Sequence, residues 1–490
     1  MAGNVAVLNR IAFRGIDPLH FGGPLDGSWR ILTGQHPYLD FQWYCGPIHL
    51  YFLAAFIGIL GFGKTAISAY LAFTSMCVMA ATFLTTWRKI PFVLCLLCTT
   101  LAGTGFSWSR PYPSVDFTVH VWGILAIAAL TTQIPFRGTR QAFGYGLFAG
   151  AMGILALATH TEIGAAYCLT FLVFILLAEK RWDALAGFIF GVIITGLAVR
   201  FLFIHAPSEF LDGLRGTYEP ESAIRHRLIV FTMVMTSWFR NHYWIAAVAV
   251  FIAVSPFRKS QAQWLTLFFG IGIIGMLSAK LSYFEEEAHL PVAGIYTGLG
   301  FIILYAIKEL CQSLKNKITR LISLAMLVTG ALLQIISGSK SAIMHYELNH
   351  PSYPHGTYSV QTEAFTNWMV YPPTGKNLDA IVNYINTIPE GDSLLILCDM
   401  QVVYGLTGRE SYKGIPLQWQ AGHVPIPGRR AEAVGRTIVE NPPDWIVIKH
   451  DSGWDDYIVL RDYLKFPPDF LEQYALIKSW NPYGLLKKTR

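Results

Sequence analysis

The chain has 490 residues, of which 53% are hydrophobic and only 14% are charged, and its formal net charge is +6. Soluble proteins carry about 25% charged residues, so the composition excludes an ordinary soluble protein and favours long apolar segments. A small positive excess is usual for the cytoplasmic loops of membrane proteins and does not indicate nucleic-acid binding. The seven cysteines lie mostly in or beside apolar segments and imply no disulfide framework.

Apolar runs long enough to cross a membrane recur over the first two thirds of the chain. They predict an α-helical polytopic membrane protein with about ten spans. The run at 47–62 is shorter, which is compatible with a short span or with an interfacial helix lying on the membrane surface. The predicted spans are 65–86, 90–106, 115–134, 143–159, 163–178, 183–204, 227–255, 262–279, 290–307 and 318–337.

The distribution of basic residues orients these spans. If 47–62 is interfacial, every basic cluster falls on one side, which the positive-inside rule makes cytoplasmic. The opposite side then receives the loops that carry acids, histidines and aromatic residues, so the polar groups suited to function gather on the extracytoplasmic face. These outer segments are 20–62, 107–116, 159–164, 205–226, 279–291 and the chain after 338.

The chain after residue 337 predicts a small extracytoplasmic α/β domain, 338–490, following the transmembrane domain, 1–337. Apolar residues at helical spacing predict helices over 376–388 and 431–441. Short buried strands are predicted at 392–399 and 444–450, and a closing hairpin is predicted with Asn481 and Pro482 at its turn.

Three classes of protein fit a polytopic chain with a polar outer face: an enzyme acting on a lipid-linked substrate, a transporter or flippase, and a non-catalytic assembly protein. A transporter places ionisable groups or broken helices near the bilayer midplane, often in paired repeats. The predicted spans are almost free of charge at mid-span and show no repeat. The enzyme is therefore favoured, with its lipid substrate entering sideways.

The stretch from residue 25 to 61 contains Asp26, then Leu-x-Gly-x-x-Pro-Tyr-x-Asp-Phe ending at Phe41, then Gly-Pro-x-x-x-Tyr ending at Tyr51. It resembles the first extracytoplasmic loop of polytopic glycosyltransferases of the C fold (GT-C). These are relatives of the protein mannosyltransferases and of bacterial enzymes that use polyprenyl-phosphate sugars. In that family the helix after Gly-Pro lies at the membrane surface, which favours the interfacial reading of 47–62.

The resemblance implies a chemistry and a set of catalytic residues. The donor is a sugar on a polyprenyl phosphate, and the acceptor is an extracytoplasmic glycan, lipid or protein. A first-loop carboxylate takes the proton of the acceptor hydroxyl, with inversion at the anomeric carbon. Asp26 matches the catalytic aspartate of the family, and Asp40 matches a second acid. The structural alternatives to catalysis are that Asp26 caps the N-terminus of a helix and that the Asp40 side chain makes a hydrogen bond that fixes the loop.

The lipid phosphate needs positive charge or hydrogen bonds on the same face. Arg110 and Lys280 lie at the outer ends of predicted spans and are candidates for contact with the donor phosphate. His289 and Asp116 are weaker candidates, since a histidine at a helix boundary is usually structural and Asp116 has the position of an N-cap. Arg110 has its own alternative, which is stacking on neighbouring aromatic rings.

The segment 159–164 resembles a Lys-x-Glu-x-Gly turn of the family, with Glu162 kept and His160 in place of the basic residue. Glu162 is therefore a substrate-binding candidate. The acidic run 285–287 is typical of a solvated loop, and the alternative is a site that binds a metal ion or the acceptor substrate. The fold admits a divalent metal ion, but no spacing typical of metal ligands is present.

The family has a membrane span immediately before its aspartate loop, whereas the residues before Asp26 contain no apolar run of that length. We expect that the first span is missing from this chain. The sequence as a whole predicts an integral-membrane glycosyltransferase of a bacterial inner membrane, with its active face and C-terminal domain outside the cytoplasm.

Overall fold

The computed structural model describes residues 18–43, 45–87, 115–132, 138–178, 180–216, 358–366, 368–370, 372–397, 400–415, 428–449 and 465–489, with a few isolated positions between these ranges. The chain divides into two compact units. The described helices between Leu71 and Val199 belong to the first unit, and the described parts of Phe13–Tyr70, Arg200–Glu219 and His350–Arg490 belong to the second. The predicted boundary at residue 337 lies outside the described residues.

Long apolar helices build the described part of the first unit, and five predicted spans coincide with them. The predicted spans 90–106, 227–255, 262–279, 290–307 and 318–337 fall wholly or almost wholly outside the described residues. Numbering the described helices from the N-terminus, the five are α3 (Lys64–Thr86), α4 (Val115–Thr132), α5 (Thr139–Leu157), α6 (Thr161–Leu176) and α7 (Arg181–Leu202).

Helices α5 and α7 approach each other closely through glycines spaced four residues apart on each helix. A Cβ atom on Gly150 would lie 2.2 Å from the Phe188 carbonyl oxygen, and one on Gly187 would lie 2.1 Å from the Phe143 carbonyl oxygen. Any larger residue at these positions forces the two backbones apart. This is the small-residue packing that membrane helices use, because apolar burial alone does not drive association in lipid.

Two of the described helices are long and apolar enough to cross a membrane, Lys64–Thr85 and Arg181–Leu202. Only 22% of the most apolar window of Arg181–Leu202 is buried, against 56% for Lys64–Thr85. The outward side of α7 carries exposed Ile193, Leu197 and Phe201, which suits a face that contacts lipid. The prediction of apolar helices at these positions is confirmed.

In the second unit, two helices pack against each other at the N-terminal end, α1 (Pro18–Leu32) and α2 (Ile48–Leu60). The Ser28 hydroxyl lies 3.0 Å from the Leu50 carbonyl oxygen, which ties the two helices together. Helix α2 covers most of the predicted segment 47–62, so the predicted helix is confirmed there. Its placement at a membrane surface stays a prediction. A short helix, α8 (Pro207–Gly216), follows α7.

The strands and helices predicted after residue 337 are confirmed where the structure describes them, and their organisation as a domain of 338–490 stays a prediction. Strand β3 (Leu394–Ile396) is parallel to β4 (Trp445–Lys449), which is antiparallel to β6 (Tyr483–Lys488), and β5 (Tyr474–Trp480) closes the sheet in the order β3-β4-β6-β5. The hairpin turns at Asn481 and Pro482, as predicted. The remaining elements are β1 (Tyr358–Ser359), β2 (Met369–Val370), α9 (Pro372–Ile385), α10 (Val403–Thr407) and α11 (Gly428–Glu440).

The spacing of apolar residues explains the buried faces of this domain. Leu378, Ile381, Val382 and Ile385 recur at helical intervals on α9 and are all buried. Strands β3 and β4 are buried almost throughout, as expected for strands paired in parallel within a covered sheet. Beneath the sheet, Leu395, Ile446, Ile448 and Phe470 belong to a common hydrophobic core.

Candidate functional site

The two acids of the first-loop motif lie in different local structures within the second unit. Asp26 lies in the interior of α1, which is already helical from Pro18, so the alternative of an N-cap for Asp26 is wrong. An N-cap residue has non-helical backbone angles and stands before the first turn, which Asp26 does not. Asp40 lies in the turn that follows α1, between His36 and Phe41.

The Asp26 carboxylate is completely buried, and both of its oxygens accept hydrogen bonds. Arg30, one helical turn along α1, donates from Nε to Oδ2 over 2.7 Å. Residues at i and i+4 lie on the same helix face, which is why this pair can meet. The Ser411 hydroxyl donates to Oδ1 over 2.5 Å.

Arg30 and Gln35 extend this network to the backbone of the C-terminal domain. Arg30 donates from Nη1 to the Tyr412 carbonyl oxygen over 2.7 Å, and Gln35 donates from Nε2 to the Ser411 carbonyl oxygen over 2.6 Å. The guanidinium also lies over the ring of Phe41, 5.4 Å from its centroid. A buried charged pair is tolerated only when hydrogen bonds satisfy its remaining groups, and this pair meets that condition.

We call residues 409–414 the strap, since they run along the first loop and bond to it at several points. The Trp29 indole N–H donates to the Arg409 carbonyl oxygen over 2.8 Å, and the Gly414 N–H donates to the Asp40 carbonyl oxygen over 2.6 Å. Together with Ser411 and Tyr412, these bonds make the strap and the first loop one hydrogen-bonded assembly.

Burial raises the pKa of Asp26 above its ordinary value, while the Arg30 charge and the hydrogen bonds from Ser411 and Arg30 oppose that rise. Desolvation disfavours the charged form of a carboxyl group, and a nearby cation favours it. Because both carboxylate oxygens are hydrogen-bonded and the side chain is buried, Asp26 cannot accept a proton from a bound ligand in this arrangement. For Asp26 to act as a base, the strap has to move away from it.

Asp40 is half-buried, and among the described residues its carboxylate accepts a single hydrogen bond, from the His36 backbone N–H to Oδ2 over 2.8 Å. Among the described residues, its other oxygen, Oδ1, has no hydrogen-bond partner. Oδ2 of Asp40 therefore has the loop-fixing role of the structural alternative, while Oδ1 stays accessible.

The turn that carries Asp40 is held tightly. The Tyr38 N–H donates to the Phe41 carbonyl oxygen over 2.7 Å, and the buried Tyr38 hydroxyl donates to the Cys45 carbonyl oxygen. Tyr38 has a φ of +67°, in the left-handed region that bulky residues rarely occupy. Backbone strain of this kind persists only where the surroundings fix it, and it concentrates at functional sites.

Several polar side chains of the first loop carry buried atoms that have no hydrogen-bond partner in the described part of the chain, and three of them concern the site. They are Gln42, through both amide atoms, His36, through Nδ1, and Tyr51, through its hydroxyl. The sequence analysis missed these three residues, because the motif points to the acids and no local pattern shows which amide stays unpaired. They surround the position of Asp40 along the chain.

The residues after α7 contact the same loop. The rings of His36 and His205 have centroids 4.1 Å apart, and those of Tyr51 and Phe203 are 4.8 Å apart. Burial, followed by the nearby His36 and Arg200, lowers the pKa of His205. The side of the first loop that bears His36 and Tyr51 therefore lies against the segment 203–205.

The other predicted site residues belong to the first unit or are not described. Glu162 lies in the first turn of α6, and His160 is that helix's N-cap but makes no capping bond through its side chain. Asp116 lies in the first turn of α4. Their roles in substrate binding stay predictions. Arg110, Lys280, His289 and the acidic run 285–287 lie outside the described residues.

Metal binding gains no support from the described ranges. Within them, no group of three or more His, Cys, Asp or Glu side chains is arranged to hold a metal ion. The acidic run 285–287, which is the predicted alternative site, is not among them.

Two solved structures are similar to this chain over nearly its whole length. One is a crystal structure of ArnT from Cupriavidus metallidurans bound to undecaprenyl phosphate, with 11% identity, a TM-score of 0.47, and coverage of 99% of this chain and 97% of that one. The other is ArnT from the same organism in the apo state, with 12% identity, a TM-score of 0.42 and the same coverage. Both TM-scores are below 0.5, so the likeness carries no conclusion about activity. No protein-family model and no curated protein sequence matches the chain.

Proposed function

We propose that this chain is an integral-membrane glycosyltransferase that transfers a sugar from a polyprenyl-phosphate carrier to an extracytoplasmic glycan, lipid or protein. The observation that carries the proposal is Asp40, a half-buried carboxylate with one oxygen unpaired among the described residues. It lies in a strained turn of a loop that resembles the first extracytoplasmic loop of C-fold glycosyltransferases. The apolar composition and the long apolar helices support a location in the membrane.

Asp40 is assigned as the general base. Its Oδ1 accepts the proton of the acceptor hydroxyl while the hydroxyl oxygen forms a bond to the anomeric carbon of the donor sugar. The bond from that carbon to the phosphate oxygen breaks on the opposite face, and the lipid phosphate leaves with the bonding electrons. The anomeric configuration is inverted. The backbone N–H of His36 holds Oδ2 by a hydrogen bond and so orients Oδ1 towards the acceptor.

Asp26 is assigned a positioning role, because its pair with Arg30 and Ser411 holds the first loop against the strap. The alternative is that Asp26 is the base, as the resemblance alone implies. That alternative needs Ser411 and Arg30 to release the carboxylate before each turnover, which costs the free energy of a buried charged pair.

The leaving group does not need a proton, since cleavage of the phosphodiester donor releases polyprenyl phosphate as a stable monoester anion. It needs compensation of its charge. Arg110 and Lys280 are assigned this role, with Glu162, His289 and Asp116 as further substrate contacts. The acceptor arrives from the extracytoplasmic side of a bacterial inner membrane, where the C-terminal domain helps to shape its binding cleft.

Transfer of labelled sugar from a panel of polyprenyl-phosphate sugars tests the proposal, in membranes that carry the full chain. Asp40→Asn should reduce transfer by about 10²- to 10⁴-fold, the usual contribution of a general base. Asp444→Asn is the matched control, since it makes the same change on an exposed carboxylate of the C-terminal sheet and should leave transfer intact.

Two results would contradict the proposal. Full transfer by Asp40→Asn would remove this carboxylate from the chemistry. Failure of the wild-type chain to transfer any sugar, combined with movement of a lipid-linked sugar across vesicle membranes, would favour a flippase instead.

A further inference from the structure

Gln42 is 4% exposed, and neither its amide oxygen nor its amide nitrogen has a hydrogen-bond partner in the described part of the chain. A buried polar group without a partner is rare in native proteins, because its desolvation is not repaid. Two unpaired atoms on one side chain therefore need an explanation. The amide of Gln35, in the same loop, is by contrast bonded at both ends, to Ser411 and to Arg30.

The position of Gln42 points to the substrate. It lies two residues beyond Asp40, so their Cα atoms are separated by no more than about 7 Å. A ligand that meets Oδ1 of Asp40 is therefore bound close to Gln42, and the packing around the buried amide has to open for the two to meet. His36, whose N–H holds Asp40, and Tyr51 also have a buried polar atom with no hydrogen bond among the described residues.

The chemistry of these atoms indicates the class of ligand. A primary amide offers a donor and an acceptor side by side, and a hydroxyl likewise donates and accepts. Adjacent hydroxyls of a sugar satisfy an amide at both ends. A phosphate or carboxylate offers acceptors only and would leave the amide oxygen facing negative charge. Neither Gln42 nor Tyr51 carries a charge, which also suits a neutral polyol.

We infer that Gln42 is a specificity-determining residue that binds hydroxyl groups of the sugar reacting at Asp40. The inference rests on the proposed function and extends it to the recognition of the sugar. The hydroxyls belong to the donor sugar or to a sugar acceptor, and separate titrations of donor and acceptor in the transfer assay distinguish the two.

The test compares Gln42→Met with Gln35→Met in the purified full chain. Methionine is an unbranched apolar residue of similar length, so each change removes an amide and keeps most of the volume. Gln42→Met should leave the unfolding temperature without ligand unchanged or raise it, because it removes an unpaired buried amide. Gln35→Met should lower it, because the Arg30 and Ser411 groups lose their partner.

In the transfer assay, Gln42→Met should lose about 10-fold or more in kcat/KM, the size of one lost hydrogen bond to substrate. A loss confined to titrations of the polyprenyl-phosphate sugar assigns the hydroxyls to the donor, and a loss confined to titrations of the acceptor assigns them to the acceptor. Preference among sugars that differ at one hydroxyl should also relax.

Two outcomes overturn the inference while the proposed function stands. In the first, Gln42→Met lowers the unfolding temperature as far as Gln35→Met does, which would mean that the amide is bonded within the fold. In the second, the wild type transfers sugar and Gln42→Met matches its kcat/KM and its sugar preference, which would leave only water at the amide. A wild type that transfers nothing overturns the proposed function and this inference together.

Discussion

Asp26 and Asp40 belong to one short motif, yet the structure gives them opposite surroundings. Asp26 is sealed, with both oxygens bonded and a cation beside it, whereas Asp40 is half-buried with one oxygen unpaired among the described residues. A buried charge destabilises the fold when it loses its partner, and an accessible carboxylate can exchange protons with a ligand. The comparison separates a carboxylate that holds the loop from one that is available for chemistry.

The surroundings of the two aspartates differ because Asp26 is paired both within its helix and by a distant segment, whereas the Asp40 carboxylate is hydrogen-bonded only within its own turn among the described residues. Asp26 meets Arg30 because both lie on the same face of α1, and it meets Ser411 although that residue is 385 positions away in the chain. Asp40 instead follows the end of the helix, in a turn whose backbone supplies its single bond. The strap bonds to Asp40 at its backbone carbonyl, through the Gly414 N–H, and among the described residues no hydrogen bond joins the strap to its carboxylate.

The largest effect on stability is expected for Asp26→Asn. This change leaves the Arg30 guanidinium buried without its counter-ion, and arginine cannot shed its proton. Breaking a buried pair in this way costs about 3–5 kcal/mol in the free energy of unfolding. Denaturant unfolding in mixed micelles measures it.

The double variant Asp26→Asn with Arg30→Met is the control for that prediction. Removing both charges should recover most of the lost stability, because no uncompensated charge stays buried. A double variant as unstable as Asp26→Asn alone would show that the cost lies in lost packing and not in the charge of Arg30.

A smaller and pH-dependent loss is expected for Arg30→Met alone. Asp26 can take up a proton, and without Arg30 its pKa in the folded state, already raised by burial, rises further. When the pKa of a carboxyl group is higher in the folded than in the unfolded state, the folded state binds the proton more tightly. The resulting stabilisation is fully present below the unfolded-state pKa of 3.8 and is lost as the pH rises towards the folded-state pKa. The cost of the variant relative to the wild type should therefore grow as the pH rises from the folded-state pKa of the wild type towards that of the variant, by up to about 1.4 kcal/mol per pH unit.

Unfolding of Arg30→Met and of the wild type at a series of pH values measures this trend. A cost that does not change as the pH rises above 3.8 would mean that removal of Arg30 leaves the folded-state pKa of Asp26 unchanged. The assignment of Arg30 as a group that lowers the pKa of Asp26 would then fail.

The smallest of these effects is expected for Ser411→Ala, which removes one hydrogen bond from Asp26 and leaves the Arg30 pair in place. A hydrogen bond to a charged group contributes about 1.5–3 kcal/mol, and the loss should be near the lower figure because Arg30 still compensates the charge. Ser411→Thr keeps a hydroxyl and is the matched control. Equal stability of the alanine variant and the wild type would argue against a strap that fastens to Asp26 through this hydroxyl.

The sequence predicted those parts of the fold that depend on local pattern. The apolar runs near 65–86 and 183–204 became long helices, and the periodic apolar residues of 376–388 became the buried face of α9. The hairpin at Asn481 and Pro482 followed from two short strands and a turn dipeptide. In each case, the residues that decide the structure are close neighbours in the chain.

The sequence could not show contacts that depend on distant residues. From the helical pattern after Asp26, it made an N-cap the alternative to a catalytic role, whereas the helix already begins at Pro18. It gave no reason to connect Asp26 with Ser411. It also did not show that Gln35 would be fully bonded and Gln42 unpaired, since two glutamines in one loop look alike until their surroundings are known.

The most direct test of the account is the rate of sugar transfer per folded molecule in a single turnover, measured side by side for Asp40→Asn and Asp26→Asn. The amount of folded protein is normalised by the yield of monodisperse material after purification. Asp40→Asn should fold normally and lose about 10²- to 10⁴-fold in rate. Asp26→Asn should yield less folded protein but keep a rate per folded molecule within about 10-fold of the wild type. The reverse pattern, a fully active Asp40→Asn and an inactive but well-folded Asp26→Asn, would contradict the account and make Asp26 the base.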